Sequence, residues 1–143
     1  MTDAAADRLW TRLSEYGTWG DWLSHVAESN IEGHDVPMVP VGAVRAVGPL
    51  GNPRTREQLV AVDDIARIIS YVVTEPPIWR FPARRYRGTV RVIELTDRAG
   101  SVIEWSGTYD CDAADEAGMN ELLTGLYTSF AAGLIKAVST GPG

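Results

Sequence analysis

The stretch DEAGMNELLTGLYTSFAAGLIKAVS, residues 115–139, decides how the rest of the chain is arranged. Its apolar side chains recur at three- and four-residue steps, which places them on one stripe of an α-helix. At about 1.5 Å per residue this helix is about 35 Å long, roughly the width of a small domain. We therefore expect a long C-terminal helix that supplies the main apolar cover for the chain. The stripe comprises Met119, Leu122, Leu123, Leu126, Tyr127, Phe130, Leu134 and Val138.

The composition is that of an ordinary globular domain. Of the 143 residues 45% are hydrophobic and 22% are charged, and the net charge is −6. This length predicts a single domain spanning residues 1–143. The negative charge argues against a nucleic-acid partner and against docking on anionic lipid. No stretch resembles a signal peptide or approaches ~20 consecutive apolar residues, so we expect no membrane span.

The numbers of cysteine, histidine, arginine and lysine residues indicate the cellular compartment, the type of genome and the cofactors to expect. Cys111 is the only cysteine, which excludes an internal disulfide and favours the cytoplasm. Twelve arginines against one lysine indicate a GC-rich bacterial genome. His25 and His34 lie far from Cys111 in the sequence and form no recognisable metal site with it, so we expect no metal and no other cofactor.

In the rest of the chain, the spacing of the apolar residues changes from a helical period to a period of two. Residues 3–16 have a helical apolar face, and residues 18–23 carry Trp19 and Trp22 in a second short helix or turn. Alternation with a period of two then predicts strands separated by short loops, which form an antiparallel meander. The fold class is therefore α+β, with a curved sheet of about six strands wrapped around the C-terminal helix. The predicted strands cover residues 25–32, 41–47, 55–62, 67–74, 84–95 and 101–111.

Alternation also predicts which side chains face the helix. Aromatic residues stand beside two glycines, Gly88 and Gly107, where a solid core would carry branched aliphatic residues. This mixture is typical of a small-molecule cavity, and Glu57 places a carboxylate on the same face. The predicted inward sets are Thr55, Glu57, Leu59 and Ala61; Ile69, Tyr71 and Val73; Tyr86, Gly88, Val90 and Val92; and Ile103, Trp105, Gly107 and Tyr109.

Several short motifs are spread over nearly the whole chain: residues 7–10, 16–19, 56–59, 86–88 and 104–106, with Trp22 and the Asp63-Asp64 turn. These motifs resemble the START and birch-pollen-allergen (SRPBCC) superfamily, which has the helix-grip fold. Within it, the sequence is similar to bacterial polyketide cyclase/dehydrase-like proteins. The middle is also similar to plant abscisic-acid receptors, with residues 48–52 at the gate-loop position and Glu57, Tyr71, Tyr86 and Trp105 at pocket positions.

Two departures from the family pattern matter. The family begins with a strand before the first helix, whereas this sequence begins at what resembles the end of that strand, at residues 3–6, so either the strand is lost or the true start lies upstream. Loss of the strand would leave a sheet edge open and favour a homodimer through that edge. Residues 76–79, Pro-Pro-Ile-Trp, replace the polar latch, so receptor-type gating is not expected. Arg80, Arg84, Arg85, Arg87 and Arg91 form a basic strip that we interpret as a solvated face with Glu94 and Glu104 as cross-strand partners.

Glu57 has two possible roles. It could be a desolvated carboxylate acting as general acid/base or ligand anchor, or it could form a structural ion pair with Arg45, Arg54 or Arg56. Tyr71, Tyr86 and Tyr109 could donate hydrogen bonds to a ligand carbonyl or enolate, or they could be ordinary core aromatics. Trp22 and Trp79 could form a lid over a ligand or simply pack.

The resemblance implies a hydrophobic ligand, polyketide- or lipid-like, held between the sheet and the helix. An enzyme would be a polyketide cyclase or dehydratase-type lyase in which Glu57 moves a proton and Tyr86 or Tyr71 polarises a carbonyl. The same pocket would also suit a non-catalytic carrier or sensor, and a protein-interaction module with a filled interior is a third possibility. The candidate ligand-binding residues are Trp22, Glu57, Tyr71, Trp79, Tyr86, Trp105, Tyr109, Tyr127, Phe130 and Leu134.

Overall fold

The computed structural model describes residues 1–23, 28–32, 39–48, 55–75 and 83–140. It confirms the predicted α+β architecture, with one antiparallel sheet in which every strand pairs with its neighbour in the sequence. The strands are β1 (Glu28–Ile31), β2 (Val44–Gly48), β3 (Thr55–Asp63), β4 (Ile68–Glu75), β5 (Arg84–Glu94) and β6 (Ser101–Asp110). The helices are α1 (Ala6–Ser14) and α2 (Glu116–Thr140), with 3₁₀ turns at Tyr16–Asp21 and Ala113–Asp115.

The start of the chain differs from the prediction. Helix α1 begins at Ala6, three residues after the predicted start at residue 3, and its N-cap residue Ala5 makes no side-chain capping bond. The reason is that Thr2 exchanges two backbone hydrogen bonds with Ser101, each 2.9 Å long. This bridge lies at the start of β6, and no strand precedes α1 in the described part of the chain.

One end of the fold is filled by aliphatic side chains, and we call it the closed end. It forms where the apolar face of α1 packs against the sheet and α2. Side-chain hydrogen bonds hold α1 there: the Arg8 guanidinium donates to the Val138 carbonyl at 2.5 Å and Trp10 Nε1 donates to Asp64 at 3.0 Å. The fully buried residues of the closed end are Leu9, Leu13, Ile69, Val90 and Val92.

A bulge in β3 changes which residues face inward. Leu59 lies opposite Tyr71, but the register then shifts so that Ala61 pairs with Ser70 and Val62 with Ile69. Val62, and not the predicted Ala61, therefore packs against the core. The extra residue moves the alternation by one position, which a strict period of two cannot anticipate.

Helix α2 matches the predicted 115–139 helix closely, but its apolar stripe is only partly covered. Leu122 is 44% exposed, so its assignment to the covered stripe is wrong. By length and composition α2 could cross a membrane, but the core helix of a soluble protein meets the same criteria, so the absence of a membrane span stays a prediction. In the structure α2 packs against α1 and β6, and only 17% of its most apolar 18-residue window is buried.

The glycines of α2 serve different purposes. A Cβ atom on Gly133 would strike the carbonyl oxygen of Trp22, so this glycine lets the 3₁₀ turn after α1 approach the helix backbone. Gly118 and Gly125 have no neighbour within 4 Å of a Cβ position. Trp22 is therefore seated directly on α2.

Candidate functional site

A bulge in β5 turns Tyr86 towards α2. The register with β6 shifts between Arg84 and Arg87, and Arg85 adopts a left-handed backbone conformation with φ of +52°. The Arg85 guanidinium pairs with Asp110 across the bulge at 2.5 Å. Bulges commonly re-aim a side chain in this way, and here Tyr86 becomes buried on the inner face as predicted.

Two glycines on the inner face make room for tyrosine side chains. A Cβ atom on Gly88 would lie 2.6 Å from the Tyr71 hydroxyl oxygen. A Cβ atom on Gly107 would lie 2.9 Å from the Tyr86 ring and collide with the Tyr127 hydroxyl. The space directly above both glycines is thus occupied by tyrosines, so the glycines by themselves do not mark an open cavity.

Trp105 on β6 is the hub of an aromatic cluster between the sheet and α2. Its ring stacks on Tyr127 at 6.1 Å between centroids, with an interplanar angle of 16°, and lies 5.3 Å from Phe130. From the other side it is met by Trp19 at 5.7 Å and Trp22 at 6.3 Å. The aromatic cluster comprises Trp19, Trp22, Tyr71, Tyr86, Trp105, Tyr127 and Phe130.

Hydrogen bonds fix the polar atoms of the aromatic cluster. Trp105 Nε1 donates to the Tyr71 hydroxyl at 3.1 Å, and the hydroxyls of Tyr86 and Tyr127 are hydrogen-bonded to each other. Burial raises the pKa of Tyr71 and of Tyr86 well above the usual range, and it raises the pKa of Tyr127 to about 12. All three phenols therefore remain protonated hydrogen-bond donors at neutral pH.

Glu57 faces inward as predicted, and it forms an ion pair with Arg45 on the neighbouring strand. Their side chains are only 13% and 3% exposed. The Arg45 guanidinium also lies over the rings of Tyr16 and Trp19, at 4.8 and 4.7 Å from their centroids. The Tyr16 hydroxyl donates to the backbone carbonyl of Glu57 at 3.0 Å, which connects the ion pair to the turn after α1.

The charge on Arg45 is stabilised by its surroundings. Burial alone would lower the pKa of Arg45, but the Glu57 carboxylate and the neighbouring Tyr16 raise it above its ordinary value. Burial likewise raises the pKa of Tyr16 far above the usual range. The site thus contains one buried cation, one carboxylate paired with it, and several neutral hydroxyl groups.

The structure brings together most of the predicted ligand-binding residues. Trp22, Tyr71, Tyr86, Trp105, Tyr127 and Phe130 all belong to the aromatic cluster, and Glu57 reaches it through Arg45 and Trp19. Leu134 is fully buried in the core. Tyr109 stands apart at the far end of β6, where its hydroxyl donates to the Asn120 side chain. The predictions that fall outside the described residues concern Trp79, His25, His34, Arg54, Arg80 and loop residues 49–52 and 76–78.

Sequence reasoning named Arg45 as one of three possible ion-pair partners of Glu57, which the structure confirms, but it did not assign Trp19 or Tyr16 to the site. Alternation in residues 41–47 already places Arg45 on a covered face, and that was the available signal. Its pairing with Glu57 depends on the register of two strands joined by the Gly- and Pro-rich residues 48–54, which a sequence does not reveal. Among the residues the structure describes, no group of three or more His, Cys, Asp or Glu side chains could hold a metal ion.

Solved structures share this architecture. A protein of Thermobifida fusca is 25% identical with a TM-score of 0.78, covering 96% of this chain and 87% of that one. A protein of Nitrosospira multiformis is 24% identical with a TM-score of 0.74 over 97% and 92%. Norcoclaurine synthase from Thalictrum flavum, solved in complex with dopamine and hydroxybenzaldehyde, is 20% identical with a TM-score of 0.74 over 99% and 84%. These likenesses show a common fold.

Sequence comparison assigns the chain to a family. No curated protein sequence matches it. A family profile described as polyketide cyclase/dehydrase and lipid transport matches residues 1–139, nearly the whole chain. With the sheet, the long C-terminal helix and the aromatic cluster between them, the protein belongs to the polyketide cyclase/dehydrase and lipid transport family of the SRPBCC superfamily.

Proposed function

We propose that this protein binds a hydrophobic small molecule between the sheet and α2, with the aromatic cluster as the wall of the site. The observation that carries the proposal is the partial exposure of Trp105, Tyr127 and Phe130. These side chains pack against the core from β6 and α2, yet they are less covered than the aliphatic residues of the closed end. Large aromatic surfaces that remain accessible in an interior are suited to a ligand.

The burial of α2 supports the same proposal. A helix that is apolar on most of its surface is normally covered by its own protein or by lipid. Only 17% of the most apolar window of α2 is buried. A ligand held against Tyr127 and Phe130 would remove this surface from water, at about 25 cal/mol per Å² of apolar area.

The ion pair between Arg45 and Glu57 is more consistent with a carrier or sensor than with an enzyme in which Glu57 transfers a proton. Protonation of Glu57 would leave the buried Arg45 guanidinium without its counter-ion, which costs about 3–5 kcal/mol in comparable pairs. We therefore propose Glu57 chiefly as the partner that holds Arg45 in place, and ligand binding as the activity.

Cyclisation or dehydration of a bound polyketide is the second candidate, and the hydroxyl pair favours it. When Tyr86 donates to Tyr127, the hydroxyl hydrogen of Tyr127 can turn to a ligand carbonyl oxygen and polarise it. In this reading Glu57 would act as the acid/base after the ion pair with Arg45 opens. Loss of turnover in Glu57→Gln with ligand binding retained would support this candidate over the carrier.

Binding of the neutral hydrocarbon probe diphenylhexatriene tests the proposed site. We expect the fluorescence of the probe to increase when it binds the wild-type protein. Its affinity should fall about tenfold in Phe130→Ala, because an aromatic contact worth about 1.4 kcal/mol is lost. Leu122→Ala is the matched control, since it truncates an apolar residue of the same helix that is 44% exposed. A wild-type protein that binds no probe, or equal losses in both variants, would contradict the proposal.

Native mass spectrometry of the freshly purified protein adds two tests. A small molecule that co-purifies would identify the natural ligand. The same spectra count subunits, because we also propose a homodimer through the outer edge of β6, where Thr2 makes the single bridge found among the described residues. A species of 15.6 kDa alone at micromolar concentration would rule out the dimer.

A further inference from the structure

Three buried hydrogen-bond donors of the site lack an acceptor within the described part of the chain. They are Nε and Nη1 of Arg45 and Nε1 of Trp22. An unpaired buried donor costs about 1–3 kcal/mol, and more when the group is charged. Native proteins leave few such groups, so each one needs an explanation. All three belong to side chains that can only donate, since neither a guanidinium nor an indole N–H accepts a hydrogen bond.

The guanidinium of Arg45 is buried and lies against two neighbouring rings. Its distances to the Tyr16 and Trp19 centroids, 4.8 and 4.7 Å, nearly equal the 4.9 Å between those two rings. If the guanidinium lay between the two rings, the Tyr16 and Trp19 centroids would be about twice as far apart. The guanidinium therefore lies beside both rings, in the angle between them. Glu57 occupies only Nη2, which leaves Nε and Nη1 for another partner.

Both donor side chains border the aromatic cluster. The Trp19 ring that contacts Arg45 lies 5.5 Å from Trp22 and 5.7 Å from Trp105. The Trp19 ring therefore connects the unpaired donors of Arg45 to Trp105, and Trp22 Nε1 belongs to a ring that contacts Trp105 directly. In the described part of the chain, the buried side-chain atoms without a hydrogen-bond partner are all nitrogen donors.

We propose that the ligand is an aromatic or conjugated molecule carrying a carbonyl or carboxylate oxygen, and that Arg45, assisted by Trp22, selects for this oxygen and against protonated amines. This inference rests on the proposed binding function and adds the chemical class of the ligand. The oxygen accepts from Arg45 Nε or Nη1, while the ion pair with Glu57 keeps the guanidinium oriented. A cationic ligand would instead face the buried positive charge of Arg45 and offer no acceptor to any of the three donors.

Four naphthalenes of nearly equal shape test the selection by titration calorimetry: 2-isopropylnaphthalene, 2-acetylnaphthalene, 2-naphthoate and 1-(2-naphthyl)ethylamine. We expect the ketone and the carboxylate to bind wild-type protein at least about tenfold more tightly than the hydrocarbon, since a hydrogen bond to a charged donor is gained. The amine should bind more weakly than the hydrocarbon. The ketone and carboxylate arms also show whether a neutral or an anionic oxygen is preferred.

Arg45→Lys tests the residue, because it keeps a cation beside Glu57 while removing the two unpaired N–H groups. The ratio of ketone to hydrocarbon affinity should fall about tenfold. Arg56→Lys is the matched control, since Arg56 pairs with Glu32 at the surface, and its ratio should equal that of the wild type. If Arg45→Lys does not fold, the double variant Arg45→Met, Glu57→Leu replaces the whole ion pair by apolar groups and should also lose the preference.

The outcomes separate this inference from the proposed function. Binding of the hydrocarbon with no gain for the ketone or carboxylate overturns the inference and leaves the binding function standing. An amine that binds as tightly as the ketone, or a preference that survives in Arg45→Lys, overturns it as well. Failure of all four compounds to bind the wild-type protein contradicts the proposed function itself.

Discussion

The closed end and the aromatic cluster are built on the same sheet and both pack against α2, yet they are packed differently. At the closed end Leu9, Leu13 and Val90 are fully buried. In the aromatic cluster Trp105, Tyr127 and Phe130 keep part of their surface accessible, and polar atoms are shared among hydroxyls, an indole and an ion pair. The closed end is thus fully covered, whereas three rings of the aromatic cluster are not.

The difference concerns exposure as well as chemistry. Aliphatic packing is worth about 0.8 kcal/mol for each buried CH₂ group, so the closed end contributes stability through the burial of its side chains. In the aromatic cluster the other four rings, Trp19, Trp22, Tyr71 and Tyr86, are also buried. The rings around Trp105 are each held by a hydrogen bond or by a neighbouring ring. The following substitutions test this difference.

The largest effect is expected from the same substitution made in both regions. Leu9→Ala at the closed end should lower the free energy of unfolding by about 2–5 kcal/mol, because it leaves a cavity among fully buried side chains. Leu126→Ala, next to Tyr127 on α2, should cost about 1 kcal/mol, since this leucine is only half-buried. Urea unfolding measures both. Equal losses would mean that the two regions are packed alike.

A methyl group added beneath the aromatic cluster should have the next largest effect. Gly107→Ala places a Cβ atom 2.9 Å from the Tyr86 ring and against the Tyr127 hydroxyl. We expect a loss of about 1–3 kcal/mol in unfolding free energy and weaker binding of diphenylhexatriene, because both rings must move. A stable Gly107→Ala protein with unchanged probe binding would show that the rings have room to shift without consequence.

The elements were predictable because their periodicity is strong, and the inner faces of β4, β5 and β6 followed from alternation alone. Three features of the structure could not be predicted fully from the sequence. The bulge after Leu59 replaces Ala61 by Val62 on the inner face, and such an insertion leaves no local signature. The sequence narrowed the ion-pair partner of Glu57 to Arg45, Arg54 or Arg56, and only the strand register singles out Arg45. The start of α1 depends on the distant bridge between Thr2 and Ser101, which competes with helix formation at residues 2–4.

Alkaline pH should weaken the aromatic cluster. Burial raises the pKa of Tyr127 to about 12, whereas a tyrosine in the unfolded chain has a pKa near 10. The stabilisation from the neutral phenol is complete below about pH 10 and is lost as the pH rises through about 12. Stability measured by urea unfolding across this interval should fall less steeply in Tyr127→Phe than in the wild type. Because Tyr127 is half-buried, we expect a smaller change in unfolding free energy than that caused by Gly107→Ala. If stability fell equally steeply with pH in Tyr127→Phe and in the wild type, the raised pKa would not belong to Tyr127.

The smallest expected change is a gain in stability, and it comes from the exposed side of α2. Gly125 lies in the middle of the helix with no neighbour within 4 Å of a Cβ position, so Gly125→Ala should raise the unfolding free energy by about 1 kcal/mol through helix propensity alone. Gly133→Ala is its matched opposite, because the same methyl group would strike the Trp22 carbonyl oxygen and should destabilise the protein. Thermal unfolding distinguishes them by sign. If both variants were stabilised, Trp22 would not be seated on α2, and the wall of the aromatic cluster would lose the contact that positions it.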